Sequence, residues 1–183
     1  ANKPCHGDVR ANRIQNNMEK VVGKINFGHY PEMAKKIIGY MVTFTTYGTW
    51  LQGEKKGYVK NGEIFAQNEQ LKSANQRQQK YPTFRLNSEH KQIVEKTILE
   101  EAGRINHQIF AIAVCSNHVH IVAGVSGESI EQAVHRYKYS ATLALRTLRT
   151  CGKIWSKGFD KRFCFTDKEI ENKVRYVQSH HNG

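Results

Sequence analysis

Gly39 to Tyr47 (GYMVTFTTY) is β-branched and aromatic, which predicts a strand. Beyond it, a polar, Gly- and Gln-rich stretch over residues 48–85 carries no clear period and reads as a loop-rich insertion. Helical spacing returns at Val94, Ile98, Ala102 and Ile105, with Asn87 or Ser88 as the cap and Gly103 expected to end or fray the helix. His107 to Cys115 (HQIFAIAVC) is apolar on both faces, as expected of a central strand. Ser116-Asn117 turns it into His118 to Val125 (HVHIVAGV), so the two strands are predicted to form a hairpin. Ser129 and Gln132 have capping-box spacing and open a helix with Ile130, Val134, Tyr137, Ala141, Leu145 and Leu148 on one stripe. Ile154 to Phe165 is aromatic and basic and supplies a further strand or extended segment. A second capping box, Thr166 to Glu169, starts a terminal helix with Ile170, Val174 and Val177 facing the core.

The order is strand, helix, strand, strand, helix, strand, helix. Its first six elements predict an α+β fold with a ferredoxin-like split β-α-β antiparallel sheet, and the last helix is an addition. Residues 1–36 are polar and poorly periodic and read as an N-terminal arm, leaving 37–183 as the functional domain.

Charge narrows the class of partner. Lys and Arg total 28 against 16 acidic residues, a formal net charge of +12. Such an excess is relieved by a polyanion, most commonly nucleic acid, although a merely solvated basic surface gives the same count. No stretch has the run of roughly 18 apolar residues that a membrane span needs. Ala1 to Gly7 lack the apolar run of a secretory signal, and Cys5, Cys115, Cys151 and Cys164 form no C-x-x-C pair. Reduced thiols and a cytoplasmic, nucleoid-associated protein are therefore expected.

Two places carry candidate chemistry. His118 and His120 flank Val119 on a predicted strand, so both imidazoles emerge on one face while Val119 and Ile121 take the other. Such a pair either ligates one divalent metal or simply lies on a sheet face. On the terminal helix, Tyr176 and His180 are four residues apart and point together along one flank. A phenol one turn from a metal ligand suits covalent phosphoryl transfer, but a tyrosine at the edge of a core helix has the same spacing. Tyr137 lies on an apolar stripe and reads as core, and Tyr139 has no ligand nearby by spacing. Zinc held by Cys115 and the two histidines is disfavoured by the intervening turn. A phosphate-binding G-x-x-x-x-G-K-[ST] loop and a G-x-S-x-G elbow are both missing from the sequence.

Asn117-His118-Val119-His120-Ile121-Val122 resembles the HUH motif (His, hydrophobic, His) of the single-tyrosine transposases of insertion-sequence and REP-associated type. Arg175 to His180 resembles their nucleophile helix, and Thr46-Tyr47-Gly48-Thr49-Trp50-Leu51 resembles the end of the first strand in one branch of the family. The likeness runs from about Gly39 to the C-terminus. It implies a transposase that cleaves and rejoins single-stranded DNA, often hairpin-bearing. Tyr176 would be the nucleophile, forming a 5′-phosphotyrosine and freeing a 3′-OH. His118, His120 and His180 would hold Mg²⁺ or Mn²⁺. A homodimer is also implied, commonly with one subunit's tyrosine helix completing the other's site. The family usually places Gln or Asn where this chain has His180; imidazole is softer and favours Mn²⁺ or Zn²⁺ more than an amide does.

For DNA contacts, the second long helix offers His135, Arg136, Lys138, Arg146 and Arg149 around its core stripe. After it, Lys153, Lys157, Lys161 and Arg162 are interleaved with Trp155, Phe159 and Phe163, a pattern for following phosphates and stacking bases. The same aromatics could instead fill the core. Two other functions stay open: a domesticated, non-catalytic DNA-binding protein, and a replication or transfer initiator of the same superfamily.

Overall fold

The computed structural model describes residues 36–51, 58–60 and 63–180. The predicted arm, apart from Lys36, lies outside the described residues, as does His181.

Four strands form one antiparallel sheet: β1 (Gly39–Thr45), β4 (Ile109–Val114), β5 (His118–Gly124) and β6 (Asp160–Cys164), in the order β4-β5-β1-β6. The long helices α2 (Ser88–Arg104) and α3 (Ile130–Thr147) connect β1 to β4 and β5 to β6. This is the α+β ferredoxin-like plan expected from the order of elements. The added helix α4 (Asp167–Ser179) follows β6.

Strand alternation divides the sheet into two unlike faces. Tyr40, Val42 and Phe44 of β1 join Val119, Ile121 and Ala123 of β5 in the main core, with Val94 and Ile98 of α2 and Val134, Tyr137 and Leu145 of α3. On the opposite face Met41, Ala113 and Val122 meet Ile170, Val174 and Val177 of α4 in a second, smaller cluster. Gly39 lets α4 come this close: a Cβ there would stand 2.8 Å from the Ala123 carbonyl oxygen and 3.1 Å from Ile170 Cδ1.

The helices start where their caps dictate. Ser129 and Gln132 make the expected reciprocal bonds at the head of α3, and Asn87 does the same with His90 at α2. At α4 only half of the expected box forms. The Thr166 hydroxyl accepts from the Glu169 N–H, but the Glu169 carboxylate turns to the N–H of Phe165. Gly103 does not stop α2, which runs to Arg104.

Two other expectations are corrected. β4 is an edge strand rather than a central one; it reads as apolar on both faces because α2 packs near one and α4 covers the other. The 48–85 stretch is less irregular than its sequence suggests. It contains a short antiparallel pair, β2 (Tyr58–Lys60) with β3 (Glu63–Phe65), and a nine-residue helix α1 (Glu69–Arg77) capped by Asn68. That helix buries no residue, so it leaves no apolar stripe to read. Among the described residues no helix is long and apolar enough to cross a membrane.

Candidate functional site

β5 and α4 build the site together. The period of two on β5 puts His118 and His120 on the α4 face, with Val119 and Ile121 buried in the opposite core. Burying Val177 fixes the rotation of α4, and Tyr176 and His180 then fall over the histidine pair. The four rings are neighbours. Centroids are 4.5 Å apart for His118–His120, 5.2 Å for His120–His180 and 6.3 Å for His118–His180. The Tyr176 ring lies 5.6 Å from His120 and 4.4 Å from His180, and the residue is 47% exposed.

Each imidazole is oriented through Nδ1. His118 Nδ1 is 2.7 Å from Asn117 Oδ1, and His120 Nδ1 is 2.7 Å from Thr43 Oγ1. His180 Nδ1 donates to the Tyr176 carbonyl at 2.8 Å. With Nδ1 as the donor, the coordinating lone pair of each ring is on Nε2, the arrangement of a metal-ligating histidine steadied by an outer partner. Burial first, then the neighbouring His118 and His180, lower the His120 pKa to about 4. His120 is therefore neutral at physiological pH, as a ligand must be. Even so, the rings meet edge to face, and among the described residues no group of three His, Cys, Asp or Glu side chains is already placed to hold a metal ion. Cys115 only reaches the His180 carbonyl, with Sγ at 3.9 Å, so a zinc set of Cys115 with the two histidines does not form.

The other tyrosines lie elsewhere. Tyr137 is fully buried on the far side of the sheet, where its hydroxyl bonds to His107; burial first, then the nearby phenol and carboxylates, raise its pKa. Tyr139 is 60% exposed on α3 and stacks on His135, with ring centroids 6.5 Å apart.

The predicted DNA-contact residues do not form one surface. β-register puts Arg162 opposite Met41, on the α4 face, and Lys161 opposite Val42, on the helix face. Lys161 pairs with Glu131 at 2.6 Å and Arg162 with Asp160 at 3.1 Å. Arg136 is held by Glu101 and Glu128 at 3.2 and 3.6 Å. Lys138 donates to the carbonyls of Ser156 and Gly158, and burial lowers its pKa to about 8. His135, Arg146, Arg149 and Lys157 are exposed. With the sheet between them, the α3 cations and the histidine pair belong to different layers. Of the interleaved aromatics, Trp155 fills the core and donates its indole N–H to the Lys138 carbonyl, while Phe163 stays partly exposed under Lys161.

Residues the sequence reading missed are Thr43, opposite His120 in the register, and Asn117 as the orienting partner of His118. Asn117 was visible beside the motif, whereas Thr43 is 77 residues from its partner and only strand pairing reveals it.

A four-stranded antiparallel sheet thus carries a histidine pair on one face, with a tyrosine helix packed against it. Residues 77–180 match the family described as "Transposase IS200 like", more than half of the chain, and the chain belongs to that family. One solved structure it resembles is a REP-associated tyrosine transposase bound to a REP hairpin, 14% identical, covering 82% of this chain and 70% of that one, with a TM-score of 0.47. Another is a protein from Deinococcus radiodurans R1 assigned as a transposase, 11% identical, covering 84% of this chain and 98% of that one, with a TM-score of 0.40. No curated protein matches the chain.

Proposed function

We propose that this transposase-family chain cleaves and rejoins single-stranded DNA by transesterification through Tyr176, with His118, His120 and His180 holding a divalent cation. The observation that carries the reading is the meeting of Tyr176 with His120 and His180 over the histidine face, at 5.6 and 4.4 Å between ring centroids.

The donor set fits a metal, because all three imidazoles engage Nδ1 and direct Nε2 as the ligand. A bound Mg²⁺ or Mn²⁺ would neutralise the phosphate oxygens and the charge developing on the leaving oxygen. In the chemical step the Tyr176 oxygen bonds to phosphorus as its proton passes to solvent water, which also supplies the proton taken up by the leaving oxygen, and the P–O3′ bond breaks. The departing 3′ oxygen takes up a proton, leaving a 5′-phosphotyrosine. One phosphodiester replaces another, so a 3′-OH can reverse the step and rejoin strands without an outside energy source. The proposal keeps a homodimer, in which the tyrosine helix serves the histidine pair of its own protomer or of its partner.

DNA is the proposed partner because of the +12 formal charge and the exposed cations Arg146, Arg149 and Lys157. The test is cleavage of a labelled pool of single-stranded hairpin oligonucleotides in Mn²⁺. Products with a 3′-OH that a polymerase extends, and a 5′ end blocked by protein, support the reading. Salt-sensitive binding without cleavage moves the chain to the non-catalytic DNA-binding class.

A further inference from the structure

We propose that the cavity where β6 parts from β1, walled by Trp50 and Phe159, takes an unpaired nucleobase of the strand held at the Tyr176 site. This rests on the single-strand reading above. β1 and β6 pair only as far as Thr43 and Asp160; the chain before Asp160 bends away through Gly158 and returns at Ser156, whose N–H bonds to the Thr45 carbonyl at 2.9 Å. The space between is a cavity of about 540 Å³. That is within the roughly 300–1,000 Å³ of small-ligand sites.

Its position ties it to the site. Thr43 lines this cavity and also bonds to His120 Nδ1, so an occupant lies one strand away from the histidine pair. Its walls suit a flat aromatic ligand. Trp50 is 46% exposed, and Phe159 is half-buried against the core. An exposed indole beside a half-buried phenyl makes a sequence-tolerant stacking platform. Asp160 stands at the rim, paired with Arg162; a carboxylate there repels phosphate but accepts from the N–H edge of a base.

A second cavity of about 310 Å³ adjoins the first and shares Trp50 and Ser156 with it. Lys153, Lys157 and Gln79 line this one, and Gln79 Nε2 is a buried donor with no hydrogen-bond partner among the described residues. A buried donor without an acceptor is costly unless a ligand supplies one. Two lysines and that amide suit a phosphate oxygen. The backbone of the strand therefore passes the Lys153–Lys157 side while a base turns in between Trp50 and Phe159. Lys138 holds the floor from below, with Nζ 3.0 and 2.8 Å from the Ser156 and Gly158 carbonyls.

The test uses the full chain and two oligomers of equal length, about twelve residues: an oligothymidylate and an abasic deoxyribose-phosphate strand. Anisotropy of a terminal dye reports binding, and indole fluorescence reports stacking; Trp155 is buried, so the exposed Trp50 is the responsive indole. The oligothymidylate is expected to quench the indole and to bind about 5- to 150-fold tighter than the abasic strand, the range set by one stacked base. Trp50→Ala should remove the quench and bring the two affinities together, while Trp50→Phe restores much of the difference. Equal binding of the two oligomers to the unaltered protein overturns the base pocket and leaves the single-strand reading standing. Binding of neither overturns both.

Discussion

Thr43 Oγ1 lies 2.7 Å from His120 Nδ1, across a β1–β5 register that pairs the two residues directly. In the proposed metal site the hydroxyl accepts the Nδ1 proton and so leaves the Nε2 lone pair of His120 for the cation. Thr43→Val keeps the shape and removes the acceptor. We expect Mn²⁺ affinity to fall about 10- to 100-fold, the usual cost of losing an outer partner of a ligating histidine. Electron paramagnetic resonance titration of free Mn²⁺ measures it, and unchanged affinity would separate Thr43 from the metal site.

A different histidine sets a pH dependence on the other face of the sheet. His107 is buried, bonded by Tyr137 and by Tyr40 and the Gly124 carbonyl, each of the latter two at 3.0 Å. Burial lowers its pKa below the ordinary value, against the opposing pull of the Gly124 carbonyl and Glu128. Folding thus depresses this pKa, so the unfolded chain takes up the proton more readily once pH drops below roughly 6.5. The stability this histidine contributes is complete above that pH and is lost as pH falls through the folded value. Melting temperature should therefore fall more steeply from pH 7 to pH 5 in the unaltered protein than in His107→Gln. His120 titrates in both proteins and cancels from the comparison. Parallel slopes would contradict the assignment.

Gly39 governs how α4 sits. A Cβ at this position meets a backbone carbonyl at 2.8 Å, which cannot swing aside like a side-chain tip. Gly39→Ala should cost about 1–3 kcal/mol by overpacking, read as a lowered urea midpoint. It should also reduce any Tyr176-dependent cleavage, because Ile170 of the tyrosine helix is the next neighbour at 3.1 Å. A stable variant with full cleavage would show that α4 tolerates displacement.

The sequence discloses most of the frame because the site hangs on two short periods. A spacing of two puts His118 and His120 on one face, and a spacing of four puts Tyr176 over His180. Caps at Asn87, Ser129 and Thr166 mark the helix starts for the same local reason. What escapes is set by contacts between distant segments. Thr43 becomes a partner of His120 only through strand pairing, and β4 reads as central although it lies at an edge under two helices. Charge counting found the cations but could not say that Lys138 and Arg136 are engaged by carbonyls and carboxylates, or that Lys161 and Arg162 point to opposite faces.

The central claim is that Tyr176 is the nucleophile, and one experiment reaches it directly. The protein and its Tyr176→Phe variant are each incubated with Mn²⁺ and single-stranded hairpin oligonucleotides carrying randomised flanks, then denatured in SDS and digested for mass spectrometry. The account predicts a DNA-bearing peptide containing Tyr176 that disappears with EDTA and in the variant, while DNA binding persists in both. An adduct on Tyr139, or an adduct that survives in Tyr176→Phe, would contradict it.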